Sequence, residues 1–331
     1  LARAVGQVTP ANALVVAIVA GVALAVTVGV PEWAQPGVDR YKLLLETGIV
    51  LLGAQMTLGQ LVETGPLIVL LAVAVVAFGV VFVERVGRYA GVESGTRSLL
   101  AAGASVCGVS AVVAVAGSVD AEEASISYAA GTVLLFDAVT LLVFPVVGTA
   151  LGLSDRVFGV WAGLSLFSTG PTAAAGFAVS ETAGRWATLT KLVRNTFIGV
   201  LAVGYALYAR RNRGSGTGVE DSTAGAAGAG DDARSGTGPT SVRRLWTQFP
   251  KFLVGFLLVA AVANLGVVSE ATLSTVDRAG AWLFTLAFVG LGFDMNPRRL
   301  RSTGVRPIAV VLAQFTTVSA LSLLVVSVLF G

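Results

Sequence analysis

Long apolar runs, separated by short clusters of glycine, proline and charged residues, make up most of the chain. Many of them reach about 18 residues or more, the length with which an α-helix crosses a bilayer, and this favours a helical bundle over an outer-membrane barrel. We therefore predict an all-α polytopic membrane protein. Its ten spans are expected at about 12–30, 42–62, 66–84, 97–117, 125–151, 157–179, 186–209, 249–268, 279–296 and 305–330.

Composition and charge agree with this pattern. Of the 331 residues, 55% are hydrophobic and 12% charged, and the mean hydropathy is +0.83, which excludes an ordinary soluble domain. Under the predicted map, seventeen Lys and Arg residues, Arg156 among them, fall in the odd-numbered loops and three on the other side. Since cytoplasmic loops carry the positive excess, we expect a plasma-membrane protein with both termini outside.

One membrane domain is expected, with seven helices in 1–209, a linker at 210–248 and three helices in 249–331. The segment Gly214–Ser241 is rich in Gly, Ala, Ser and Thr and contains no apolar cluster. Such a segment cannot bury a core, so it predicts a flexible cytoplasmic linker.

Two predicted spans contain residues that interrupt helices. Span four has Gly108 within a run of small residues, and span six has Gly170 and Pro171 in mid-membrane. An interrupted helix at membrane depth lines a cavity, where freed N–H groups and hydroxyls can bind an anion. Close helix packing through small residues is the competing interpretation. The site residues expected from these two segments are Ser105, Cys107, Gly108, Ser110, Ser168, Thr169, Gly170 and Thr172.

Five ionisable residues, namely Glu46, Asp137, Lys191, Arg194 and Asp294, fall inside predicted spans. Glu46 and Asp294 are near cytoplasmic ends, where interfacial water favours an ordinary solvated role. Asp137 is about twelve residues from either end of its span, so it must be paired, protonated or exposed to a cavity.

Lys191 and Arg194 are three residues apart on one helical face, roughly 7 and 12 Å deep. Three interpretations remain open for them. The side chains could snorkel to the interface, form a structural ion pair with Asp137, or bind the oxygens of an anion.

An internal match supports a transporter. Leu52–Gly65 matches Leu291–Gly304 at six positions, with a constant offset of 239. The two segments run antiparallel in the predicted topology, as in the inverted repeats of secondary transporters.

Several segments, taken in order, resemble the sulfate exporter family of YeiH-like membrane proteins. They are LLETGIVLLGAQMTLGQL, SLLAAGASVCGVSAVVAV, LVFPVVG, GVWAGLSLFSTGPTAAAG, ATLTKLVRNTF and LGFDMNPRRLRSTGVRPI. The resemblance covers nearly the whole chain from about residue 12. It implies the superfold of bile-acid symporters and sodium/proton antiporters, with two inverted five-helix repeats and two discontinuous crossing helices.

On this chain the crossing helices would be spans four and nine, near Ser105–Ser110 and Gly290–Asp294. The family's eleven spans imply one further helix before the first one here. The chain departs from the family at span six, where Phe167 and Ser168 replace a His and an acidic residue, and at Asp137, where the family has a small residue. The first departure disfavours proton coupling through that pair.

The leading interpretation is a secondary active transporter of a small, sulfate-like anion that works by alternating access. Lys191 and Arg194 would attract the anion, and Asp137 and Asp294 would serve as counter-charges or coupling groups. The alternatives are a sodium- or proton-coupled carrier with Asp137 as the cation site, and a non-transporting membrane sensor.

Other classes are disfavoured. Histidine is absent, Cys107 is the single cysteine, and no nucleotide-binding motif occurs, so we expect neither an enzyme nor a metal centre or cofactor, with Na⁺ or H⁺ as the only coupling ion. The expected partners are the lipid bilayer and the small anion, not nucleic acid. A homodimer is one option for the assembly.

Overall fold

A computed structural model describes residues 13–27, 35–56, 58–119, 121–214, 251–294 and 305–331. Within these ranges the regular structure is entirely helical. The helices are α1 (Ala13–Thr27), α2 (Gln35–Asp39), α3 (Tyr41–Leu52), α4 (Leu58–Tyr89), α5 (Ser94–Ser105), α6 (Val109–Ala116), α7 (Glu123–Ala150), α8 (Asp155–Ser165), α9 (Thr169–Val179), α10 (Glu181–Asn195), α11 (Phe197–Gly214), α12 (Lys251–Asn264), α13 (Glu270–Asp294) and α14 (Val305–Phe330). A short 3₁₀ turn, Gly53–Gln55, follows α3.

Five helical segments in the described part of the chain are long and apolar enough to cross a membrane. They are Val62–Tyr89, Glu123–Ala150, Glu181–Ala209, Glu270–Phe293 and Val305–Phe330. Two shorter apolar helices, Val16–Ala25 and Lys251–Asn264, accompany them. The all-helical membrane class is thereby confirmed, whereas the count of ten spans is not. Most of the predicted linker lies outside the described residues.

Predicted span four is a helical hairpin. Its first arm, α5, ends at Ser105, and its second arm, α6, begins after Gly108, which has a positive φ of 72°. The arms pack against each other, since a methyl group on Gly103 would lie 2.8 Å from Val112 Cγ2. The base of the hairpin is closed, because Thr96 Oγ1 donates to Ser125 Oγ of α7 at 2.9 Å. The prediction of a full crossing here is wrong, because the chain returns to the end from which it entered.

Predicted span six is a second hairpin, made of α8 and α9. A methyl group on Gly159 would lie 2.6 Å from the carbonyl oxygen of Ala183, and one on Gly163 2.8 Å from that of Ala187, so α8 runs parallel to α10. Gly176 of α9 contacts the start of α10, to which α9 is joined by one residue, so α9 runs antiparallel to it. The base of α8 and the end of α9 therefore lie at the same end of the bundle.

The break in the second hairpin lies earlier than predicted. It falls at Leu166–Ser168, whereas Gly170 and Pro171 form the first turn of α9. A proline in the first turn of a helix costs little, because the N–H group it lacks would have no partner inside the helix.

The two hairpins enter the bundle from opposite ends. Arg97, near the base of the first, binds Glu84 near the end of α4, with a distance of 2.7 Å from Nε to Oε2. Arg156, at the base of the second, donates to Thr64 Oγ1 near the start of α4 at 2.6 Å. We call these the Arg88 end and the Thr64 end of the bundle. Arg156 was predicted on the same side as Arg88, and this is wrong.

Two further expectations change. Span two ends in the 3₁₀ turn at Gln55 and the next helix begins at Leu58, so the predicted boundary near 62–66 lies inside α4. The segment Gly290–Asp294 was expected to be unwound, but it belongs to the continuous helix α13. The interrupted segment that pairs with span four is therefore span six, not span nine. Most of the second segment of the internal match, residues 295–304, lies outside the described residues.

Aromatic side chains hold the second hairpin against α7 and α14. Phe144 stacks on Trp161 of α8 with a centroid distance of 4.2 Å, and Phe167 at the second tip packs edge-on against Phe315 of α14 at 5.6 Å. Trp161 Nε1 also donates to the carbonyl oxygen of Ser319 at 2.9 Å. These contacts fix the depth of the second tip within the bundle.

Candidate functional site

The tips of the two hairpins meet in the interior. A methyl group on Gly108 would lie 3.2 Å from Cβ of Ser168, and the positive φ of Gly108 also favours glycine there. Two helices, α5 and α8, end at this point with unpaired carbonyl groups, and two others, α6 and α9, begin here with unpaired N–H groups.

Arg194 binds the two helix ends. Nη1 donates to the carbonyl oxygens of Gly163, Leu164 and Leu166 at 3.1, 2.6 and 3.0 Å. Nη2 donates to those of Ala104 and Ser105 at 3.4 and 2.9 Å. The guanidinium therefore compensates the negative ends of α5 and α8 at once, the position that a helix dipole favours for a cation.

Lys191, one turn earlier in α10, also binds carbonyl groups at the two hairpin tips. Its Nζ donates to the carbonyl oxygens of Val106 and Leu166, at 2.7 and 2.9 Å. Both cations are fully buried, so the snorkelling interpretation is wrong. Among the described residues the ion pairs within 4.0 Å are those of Arg97 and Arg185, so neither cation forms the ion pair with Asp137.

A cavity of about 420 Å³ lies beside the tips. It brings together six of the predicted site residues, Cys107, Ser110, Asp137, Ser168, Thr169 and Gly170. The other predicted residues of this region, Ser105, Gly108, Thr172, Lys191 and Arg194, do not line it. Asp294 ends α13, and its side chain lies outside the described part of the chain.

Asp137 projects from the middle of α7 towards this cavity and is 1% exposed. Its Oδ1 accepts a hydrogen bond from the N–H group of Ser168, the residue that precedes α9, at 3.1 Å. Its Oδ2 is buried and has no hydrogen-bond partner. A buried carboxylate oxygen in this situation needs a proton, a cation or a donor from a ligand.

The starts of α6 and α9 supply donors to the same cavity. In α6 the first N–H groups without a partner inside the helix belong to Val109 and Ser110, and in α9 to Thr169 and Gly170, since Pro171 has none. All four residues line the cavity. Two helix starts that face one cavity form an electrostatically positive site built from backbone.

Three polar residues of the cavity were missed as site residues. Lys42 and Glu46 lie on α3, and Asn195 ends α10. Asn195 donates through Nδ2 to Thr169 Oγ1 at 2.9 Å, and its Oδ1 is buried without a partner. Glu46 and Lys42 resembled interfacial charges in the sequence, but the position of Asn195 next to Arg194 inside an apolar span was a usable signal.

Comparison with known proteins places this chain in a family. The family model described as conserved hypothetical protein 698 matches residues 1–311. The chain belongs to that family. The two hairpins and the helix that carries the buried cations, residues 94–195 of this chain, lie inside the matched region.

Curated relatives carry the name UPF0324 membrane protein. One from Nitratidesulfovibrio vulgaris is 30% identical over 88% of this chain and 76% of its own length. Others from Bacillus cereus and Clostridium tetani are 28% and 25% identical, over 88% and 80% of this chain and 79% and 74% of their own lengths. These names agree with the membrane fold and state no substrate. No solved structure matches the chain.

Proposed function

We propose that this protein is a secondary active transporter of a small, sulfate-like anion, and that the anion binds in the cavity at the hairpin tips. The observation that carries the proposal is the convergence of two helix starts, with four N–H groups that have no partner inside their helices on residues that line one cavity. A hydrogen bond to a charged partner is worth about 1.5–3 kcal/mol, so a few such donors can replace much of an anion's hydration.

This proposal assigns Lys191 and Arg194 a different role from the predicted one. They bind backbone carbonyls and hold the tips together, and Lys42 is the cation of the cavity lining. Asp137 is the coupling group, because its unpaired Oδ2 requires a proton or Na⁺ when an anion is nearby.

The hairpins also support alternating access. Each is followed by a spanning segment, α7 or α10–α11, and the two units enter from opposite ends of the bundle. Such a pair has the form of an inverted repeat, in which one unit can move against the other around a central site. In this topology two of the ten predicted segments are hairpins. In the cell membrane, the Arg88 end and the linker face the cytoplasm, because they hold most of the basic residues.

A second candidate is a cation carrier or antiporter with Asp137 as its Na⁺ or H⁺ site. Two buried oxygens without a donor, Asp137 Oδ2 and Asn195 Oδ1, favour it, since both are ligands suited to a hard cation. Flux measurements separate the two candidates.

The test uses purified protein in liposomes and radiolabelled sulfate exchange. Val109→Pro removes one N–H group at the first position of α6, where proline is well tolerated, and Val109→Ala is the matched control that keeps it. We expect sulfate exchange and sulfate-dependent thermal stabilisation in the wild type and in Val109→Ala. In Val109→Pro, sulfate affinity should fall by about tenfold or more.

Sodium-dependent flux with no response to sulfate or related anions would favour the cation carrier. Folded protein with neither flux nor ligand stabilisation would favour a non-transporting sensor. Equal sulfate affinity in the proline and alanine variants would overturn the assignment of the helix starts as the anion site.

A further inference from the structure

A second cavity of about 520 Å³ lies between α4 and α11, at the Arg88 end of the bundle. Its polar lining includes Arg85 and Arg88 of α4 and Tyr205 and Tyr208 of α11. The residues of this cavity are different from those of the hairpin-tip cavity, so the transport site does not account for it.

The acid of this cavity is already engaged. Glu84 accepts hydrogen bonds from Arg97 Nε at 2.7 Å, Ser98 Oγ at 2.7 Å and Tyr205 Oη at 2.8 Å. Arg85 and Arg88 are exposed, and no acid within the described part of the chain lies within 4.0 Å of either. The cavity therefore presents two cations, three residues apart on one helical face, and its carboxylate, Glu84, is paired with Arg97 and with neither of them.

Next to the cavity, both helices expose apolar side chains. Val81 on α4 is 48% exposed and Leu207 on α11 is 56% exposed, and both helices belong to segments that can cross a membrane. Tyr89 and Tyr208 are also exposed, beside the arginines. Tyrosine and arginine at the end of an apolar helix pair are typical of the membrane–water interface.

We propose that this cavity binds the headgroup of an anionic phospholipid. The two guanidinium groups match the oxygens of a phosphodiester, and the acyl chains lie along the apolar surfaces of α4 and α11. A zwitterionic lipid carries an ammonium group that the arginines repel, so the site selects for net negative charge. This site is independent of the proposed transport function.

Gly204 lines the cavity and has room for a larger residue. A Cβ atom built on Gly204 would have no other atom within 4 Å. Gly204→Leu is therefore expected to occupy part of the cavity, and it also favours the helix in which it lies.

The experiment measures lipid binding to the full chain in detergent by native mass spectrometry, together with the thermal shift. Phosphatidylglycerol, phosphatidylcholine and inorganic phosphate are added separately to the wild type, Arg85→Gln/Arg88→Gln and Gly204→Leu. Arg278→Gln, which removes an exposed cation near the start of α13 at the other end of the bundle, is the control.

We expect phosphatidylglycerol to bind and stabilise the wild type and Arg278→Gln at least about tenfold more strongly than it does the other two variants. Phosphatidylcholine and phosphate should not discriminate among the four proteins. Equal effects of the two lipids, full stabilisation by phosphate alone, or unchanged binding to Arg85→Gln/Arg88→Gln would each overturn the proposal.

Discussion

A buried cation in a membrane protein need not be a substrate ligand, and Arg194 shows why. Its terminal nitrogens contact five backbone carbonyl oxygens at the ends of α5 and α8. The sequence predicts that Lys191 and Arg194 are buried, because two polar residues on one face of an apolar segment need partners. It cannot predict that the partners are carbonyl groups, since every residue has one and only the fold brings five of them together.

Arg194→Gln is therefore expected to lower stability more than it lowers substrate affinity. Glutamine cannot reach all five carbonyl oxygens, so the free energy of unfolding should fall by about 3 kcal/mol or more. The measurement is thermal unfolding in detergent, with Arg185→Gln as the control, because Arg185 forms a partly exposed pair with Glu181. A variant with wild-type stability that had lost sulfate binding would return Arg194 to the substrate site.

The mid-span position of Asp137 predicts a side chain that is paired, protonated or exposed to a cavity. The structure places this side chain at a cavity, where Oδ1 has a backbone donor and Oδ2 has no hydrogen-bond partner.

Asp137→Asn keeps the acceptor for Ser168 and replaces the ionisable oxygen by an amide. We expect the variant to fold and to bind sulfate, while flux loses its dependence on a proton or sodium gradient, because the group that exchanges the coupling ion is gone. Gradient-driven uptake into liposomes, compared with exchange at equilibrium, is the measurement. Unchanged gradient dependence would remove Asp137 from the coupling step.

At the scale of the elements, interruptions could be predicted but their topology could not. Glycine and proline mark the breaks of spans four and six, since both disturb helical hydrogen bonding. An apolar segment of about 20 residues has the same length whether its halves continue across the bilayer or fold back. The arms α5 and α8 have 12 and 11 residues, so each alone is about 18 Å or less, too short to cross. Packing between the two arms, such as that of Gly103 against Val112, decides whether the segment crosses or folds back. Such tertiary contacts cannot be read from the apolar pattern of one segment.

The hairpin topology makes a prediction about sidedness. In a Cys107→Ser background, cysteines at Tyr89 and Glu122 flank the first hairpin, and cysteines at Asp155 and Glu181 flank the second. All four positions are exposed. A membrane-impermeant thiol reagent should label the first pair from one side of the membrane only and the second pair from the other. Full crossings at spans four and six would instead split each pair between the two sides.

At the scale of the molecule, the hairpin-tip cavity is connected to one end of the bundle. Its lining includes Lys42, which is exposed at the start of α3. At the same end of the bundle, Gly290 of α13 contacts Tyr41. At the other end of α3, Gln55 donates to Asp277 of α13, and Asn264 donates to the carbonyl oxygen of Met56 at 2.8 Å. These contacts join α3, α12 and α13 at the Thr64 end.

Alternating access requires those contacts to separate when the site opens towards the Thr64 end. A short bifunctional thiol reagent that joins cysteines at Gln55 and Asp277, in a Cys107→Ser background, should hold the bundle in the present state. We expect sulfate-dependent stabilisation to persist while sulfate exchange is lost, because the site stays accessible from one side only. The matched control joins cysteines at Thr272 and Thr275, which are exposed within one helix, and it should leave exchange intact. Exchange at the wild-type rate in the Gln55–Asp277 cross-linked protein would show that this end does not open during transport.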